Sequence, residues 1–122
     1  MTRLDTNYII RYLMNDNEEM AIIAEEAIMH RDLFISTEVL AEGVYVLEGV
    51  YGLDREQIVS VFSTLLQFEN IFTTDKKVTL EALRLYGEKK LDFVDCLLCA
   101  YAEKDEVLTF DKKLLKCIAR VG

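Results

Sequence analysis

The sequence contains no proline and no Gly/Ser-rich or low-complexity stretch, so nothing in it reads as an interdomain linker, and no internal repeat is present. With 122 residues, enough to bury a real core, a single domain over residues 1–122 is expected. No apolar run comes near the ~20 residues that a spanning helix requires. The opening MTRLDTN lacks the basic region and apolar stretch of a secretory signal. A cytoplasmic protein with no membrane association is therefore expected. Histidine occurs once, as His30, in a polar stretch where a surface role is the simplest reading. Three cysteines cannot all pair. Cys96 and Cys99, three apart in an apolar helical run, read as small buried residues; a zinc or redox pair would need a turn and further soft ligands.

Positive charge is scarce in the first part of the chain. Residues 1–75 hold 4 Lys+Arg against 14 Asp+Glu, whereas residues 76–122 hold 10 against 8. The net charge of −8 argues against a polyanionic partner when taken alone. The asymmetry concentrates any phosphate contacts in Lys76, Lys77, Lys89, Lys90, Lys112, Lys113 and Lys116, most of which individually read as solvated surface lysines.

What is present in abundance is hydrophobic periodicity, with 52% apolar and 30% charged residues. It predicts a strand at about 2–5, helices at about 6–14 and 17–30, a strand at 33–35, a helix from Thr37 to Tyr51 with Ser36 as N-cap, and a helix at about 54–68. A strand at 71–73, helices at 76–90 and 92–104, a strand at 107–110 and a last helix with a strand fragment follow. Short strands alternating with helices, and reading as buried on both faces, predict a parallel sheet in an α/β/α three-layer sandwich. In such sheets ligands sit beyond the carboxyl ends of the strands.

Those ends are where carboxylates stand. Asp5 and Asp111 each follow a short strand that reads as buried and precede a helix. N-capping explains either of them alone equally well. Asp92 and Asp95, three apart, share a face of the first turn of a helix that is otherwise almost wholly apolar (FVDCLLCAYA). Asp92 as cap with Asp95 reaching back would form an approximate capping box. Capping accounts for one of the pair better than both, because an idle carboxylate in an apolar helix is costly. In the helix 37–51, Glu42 projects at the border of the apolar arc formed by Val39, Leu40, Val44, Val46, Leu47, Val50 and Tyr51. Gly43 beside it costs about 1 kcal/mol relative to Ala in a helix, which hints at close packing there. Converging carboxylates take up protons or bind a cation. Oxygen-only ligands select Mg2+ or Mn2+, and such sites suit phosphoryl chemistry, with water as nucleophile and the leaving oxygen stabilised in line.

The stretches LDTNYIIRYL, LAEGVYVLEGVYGL, LDFVDCLLCAYA and LTFDKKL resemble, in order and spacing, the four motif regions of PIN-domain nucleases, and among them the VapC-type toxins of toxin–antitoxin pairs. The resemblance spans Leu4 to about Lys116. It implies an Mg2+- or Mn2+-dependent endoribonuclease, with Asp5, Glu42 and Asp95 in the places of the first three acids and Asp111 in that of the more variable fourth. Asp92 matches an accessory acid, Thr6 and Asn7 the polar residues that support the first acid, and Thr109 the hydroxyl before the fourth. It further implies RNA substrates, for which single-stranded loops of structured RNA are the class expectation, together with homodimers and a cognate antitoxin whose peptide arm covers the site. The apolar faces around Tyr45–Tyr51 and 58–66 also point to a dimer. Tyr45 stands where an aromatic, often Trp, is usual, and the chain runs only a few residues past Cys117-Ile118-Ala119-Arg120, which leaves a final strand in question.

Two other readings compete. A phospho-receiver signalling module has a similar length and an acidic Mg2+ pocket, but needs paired acids after its first strand, where here Asp5 is followed by Thr6. It also needs a phosphate-pairing lysine, which Lys112 could mimic. A catalytically silent PIN-like domain that only binds RNA or a partner is the third, against which stands the presence of all four acids.

Overall fold

The computed structural model describes residues 1–121, which form two compact units, Met1–Thr74 and Asp75 onward. In the first, β1 (Thr2–Arg3), β2 (Leu33–Phe34) and β3 (Ile71–Phe72) form a parallel sheet in the order β1-β2-β3. Thr2 pairs with Leu33 and Leu33 with Ile71, while Arg3, Phe34 and Phe72 share the next rung. Parallel neighbours require crossovers. α1 (Thr6–Met14) and α2 (Glu18–His30) supply the first, α3 (Thr37–Gly49) and α4 (Arg55–Leu66) the second. The α/β sandwich class with a short parallel sheet is thus the class observed.

The strands were expected to be buried on both faces; one face is buried, and only in β2 and β3. Leu33, Ile35 and Ile71 are wholly buried, whereas Thr2 and Arg3 are exposed, Phe34 is half-buried and Phe72 is exposed. The open row is partly protected by chemistry, since the Arg3 guanidinium lies 4.6 Å above the Phe34 ring. Beneath the covered row the core gathers Ile9, Ile28, Leu40, Leu47, Ile58, Phe62 and Leu66. This corrects the reading of 58–66 as a spare apolar face. Ile58, Phe62, Leu65 and Leu66 are all buried inside the first unit, so the apolar surface left for association lies at residues such as Tyr45 and Val50.

The approach of α4 to α3 depends on a missing side chain. A Cβ on Gly43 would lie 2.8 Å from Cζ of the fully buried Phe62. The close packing hinted at by that glycine is therefore real. Between the two helices the chain turns through Gly52, at φ +66°, and Tyr51 donates its hydroxyl to Asp16 Oδ2 at 2.7 Å while Arg11 Nη1 donates to Oδ1 at 2.8 Å. These bonds hold the Asp16 carboxyl below the usual carboxylate range, the Tyr51 bond contributing most and the Arg11 bond next.

The second unit holds α5 (Lys76–Glu88), α6 (Phe93–Tyr101) and α7 (Lys112–Val121), with α6 packed on both others. Tyr86 of α5 meets Phe93 of α6 edge-on, with ring centroids 6.1 Å apart. No strand forms at 107–110, contrary to expectation. Leu108 is 87% exposed and Phe110 fully so. A strand needs a partner as well as a β-branched run, and every strand among the described residues lies in the first unit. The chain continues as helix to Val121 in place of a strand fragment, and Gly122 lies outside the described residues. Cys99 is joined to Cys117 by a disulfide that ties α6 to α7, a pairing the sequence reading missed by weighing Cys99 against its near neighbour Cys96. Among the described residues no helix is long and apolar enough to cross a membrane.

Two outcomes follow from these contacts. Gly43→Ala gains up to about 1 kcal/mol of helix propensity but drives a methyl into a packed ring, and overpacking of this kind costs about 1–3 kcal/mol. Urea denaturation should show a net loss of about 1–2 kcal/mol, recovered when Phe62→Leu is added. Cys99→Ser/Cys117→Ser removes a closure spanning 18 residues and should lower stability by about 3 kcal/mol relative to the oxidised parent. Equal midpoints for the double variant and the parent would contradict this.

Candidate functional site

Asp5 directly follows Leu4, whose backbone N–H still bonds Phe34 O at 3.0 Å, and it caps α1 by accepting from the Tyr8 N–H at 2.9 Å. One carboxylate oxygen, Oδ1, is committed to the helix. Asp5 itself is exposed and lines a cavity of about 280 Å³ together with Arg3, Tyr8 and Arg31. Arg31 Nη2 donates to Thr2 Oγ1 at 3.0 Å. Tyr8 and Arg31 were not among the residues singled out from sequence. Arg31 lies 26 positions from Asp5, and only the β1–β2 pairing brings them together.

Thr6 begins α1 with its hydroxyl buried and without a hydrogen-bond partner; Asn7 beside it is exposed. Glu42 is an exposed residue of α3, a helix that packs on α1. Burial of Leu40, Gly43, Val44 and Leu47 directs that helix inward and leaves Glu42 at the border of its apolar face.

In the second unit the charges of two carboxylates act on a third. Asp92 caps α6, accepting from the Asp95 N–H at 2.8 Å. Asp111 accepts from the Leu114 N–H at 2.9 Å at the start of α7, and its own N–H donates to Thr109 Oγ1 at 3.1 Å. Asp95 makes no cap. It is half-buried in the first turn of α6, and burial pushes its carboxyl above the usual range, with the charges of Asp92 and then Asp111 adding to the effect. The field of a helix N-terminus favours a carboxylate, so desolvation and like charge outweigh it here.

The structure therefore places Asp92 and Asp111 within electrostatic reach of Asp95 in the second unit, and Asp5, Thr6, Asn7 and Glu42 on two packed helices of the first. Among the described residues no group of three or more His, Cys, Asp or Glu side chains is close enough to hold a metal ion. The chemistry of the donors nonetheless fits a hard divalent cation. All are carboxylates, none is soft, and crowding that raises Asp95 is what an added positive charge relieves.

Similarity to known proteins is consistent along the length. The family model described as PIN domain matches residues 3–120. A VapC ribonuclease from Aquifex aeolicus is 32% identical over 123 residues, covering 95% of this chain and 91% of that protein. No solved structure matches.

Because the native state raises Asp95, it disfavours the charged form, and that cost is present above the raised value and fades as pH falls toward 3.8. In EDTA at pH 7.5, Asp95→Asn should therefore melt roughly 1–2 °C above the parent, a small gain because solvent screens the repulsion. The gain should shrink as pH falls toward 3.8 and vanish below it. A variant melting below the parent at both pH values would show that Asp95 is a structural carboxylate.

Proposed function

The chain belongs to the PIN-domain family, on its VapC-type branch, and on that premise we propose that it is an Mg2+- or Mn2+-dependent endoribonuclease, the toxin of a toxin–antitoxin pair. Residues 1–122 serve as one nuclease domain. Asp5, Glu42, Asp95 and Asp111 are its catalytic acids, and Asp92 joins them in holding metal. The observation that carries this reading is Asp95. Asp92 alone completes the cap of α6, yet a second carboxylate stands half-buried beside it against two like charges. A purely structural helix start gains nothing from that arrangement.

A bound divalent ion supplies Lewis-acid polarisation of the phosphate and a more acidic water. The chain's own residues hold and orient. Asp5, Asp92 and Asp111 each have one oxygen fixed by a backbone N–H, so their second oxygens are presented in set directions without further loss of side-chain freedom. Thr109 Oγ1 fixes the backbone of Asp111, and Thr6 and Asn7 support Asp5. The substrate is RNA, with single-stranded loops of structured RNA as its class. A cognate antitoxin covers the site, and a homodimer buries surface that includes Tyr45 and Val50, both exposed in the monomer. The working compartment is the cytoplasm. The receiver-like reading gives way to the family model that runs from residue 3 to residue 120.

The test is cleavage of a structured-RNA pool with Mn2+ or Mg2+. EDTA should stop it, and Asp5→Asn and Asp95→Asn should each lower the rate at least about 100-fold while remaining folded. Mn2+ should also raise the melting temperature of the parent but not of Asp95→Asn. Cutting by either variant at the parent rate would remove that residue from the mechanism.

A further inference from the structure

Lys89 and Lys90, in the link between α5 and α6, and Lys113, Lys116 and Arg120 of α7 line one cleft of about 150 Å³ in the second unit. Its floor is Leu91 and Cys117, both buried, and among the described residues no carboxylate side chain lines it. Residues 76–122 hold 10 Lys+Arg against 8 Asp+Glu, so five cations and no acidic side chain among the seven described residues that line the cleft is more segregation than composition alone favours. Like charges three and four apart on a helix destabilise it, and Lys113, Lys116 and Arg120 follow that spacing. An anion seated among them relieves the repulsion. The wall carrying these three is held in place, because Cys117 is covalently joined to Cys99 of α6 and Leu114 is buried against the same unit.

The geometry points to a phosphate-binding subsite. The cleft takes a backbone phosphate of an RNA strand, with α7 and the α5–α6 link closing on it from two sides. Its volume is several times the ~30 Å³ share of one water, which suits a phosphate group that keeps part of its hydration. Lysine and arginine bind phosphate without regard to base, so this subsite positions the strand and does not select its sequence. The inference rests on the ribonuclease reading, and deepens it by assigning backbone affinity to a surface that contains none of the proposed catalytic acids.

Binding of a fluorescently labelled RNA hairpin, measured by anisotropy in EDTA with the full chain, tests this. Lys113→Gln/Lys116→Gln/Arg120→Gln should weaken binding about 10-fold or more at 0.1 M salt and make the slope of log K against log salt shallower by about 2, at roughly 0.7 for each phosphate contact to a single strand. Lys104→Gln, whose lysine lines a different cavity among Asp75, Glu81, Glu103 and Asp105, should change affinity by less than about 3-fold. Melting curves check that both variants fold. Equal losses per charge removed in the two variants would reduce the effect to net charge and overturn the subsite. So would unchanged binding by the cleft variant, or cleft-dependent binding of polyglutamate stronger than that of the RNA. A parent that neither binds nor cuts RNA overturns the ribonuclease reading as well, whereas a parent that cuts while the cleft variant binds as tightly overturns the subsite alone.

Discussion

Without proline, and with few glycines, the places where helices begin depend on short polar side chains. Each of the seven described helices starts at a residue whose side chain accepts from the backbone N–H three positions on: Asp5, Asn17, Ser36, Asp54, Asp75, Asp92 and Asp111. An unmet N–H at a helix start is a donor that must otherwise find water, and each such cap contributes about 1 kcal/mol. The caps therefore do more than stabilise. They set the register in which every helix presents its apolar face, and through that register they decide which residues of α3, α4 and α6 reach the core.

The same bonds show that capping does not exhaust these acids. Capping and metal binding are not alternatives for a carboxylate, which has two oxygens. In Asp5, Asp92 and Asp111 the cap takes one oxygen and fixes the direction of the other. Under the proposed function local structure would thereby preorganise chemistry, at the carboxyl end of β1 for Asp5 and at the starts of α6 and α7 for the other two. Asp95 and Glu42 differ, since neither caps a helix. Asp95 is the residue with no structural duty to explain it, and it is also the one whose charge is opposed by its surroundings.

Helices were the legible part of this chain. Thr6–Met14, Lys76–Glu88 and Phe93–Tyr101 lie where 3.6-residue periodicity and caps place them, because both signals are local. β2 and β3 were legible through their flanking helices and buried residues. What failed were inferences needing a distant partner. Val107 to Phe110 has the composition of a strand but no neighbour to complete a ladder, and Leu108 and Phe110 consequently face solvent. The apolar residues of α4 looked surplus until Phe62 met Gly43. For the proposed site, Asp5, Asp92, Asp95 and Asp111 could be picked out as carboxylates at element ends, and Glu42 as one at the border of an apolar helix face. The association of Arg31 and Tyr8 with Asp5 was not visible, because it follows from strand pairing.

The disulfide between Cys99 and Cys117 has a topological consequence. It encloses the stretch from Ala102 to Asp111, which has no regular helix or strand and includes two exposed apolar side chains. Such a segment is where a protease cuts first. A chain nicked there stays one molecule, with α7 still attached to α6 through sulfur. Its two pieces would separate only on reduction, so the redox state of the surroundings would decide whether a single cut is silent or severs the basic helix from the rest.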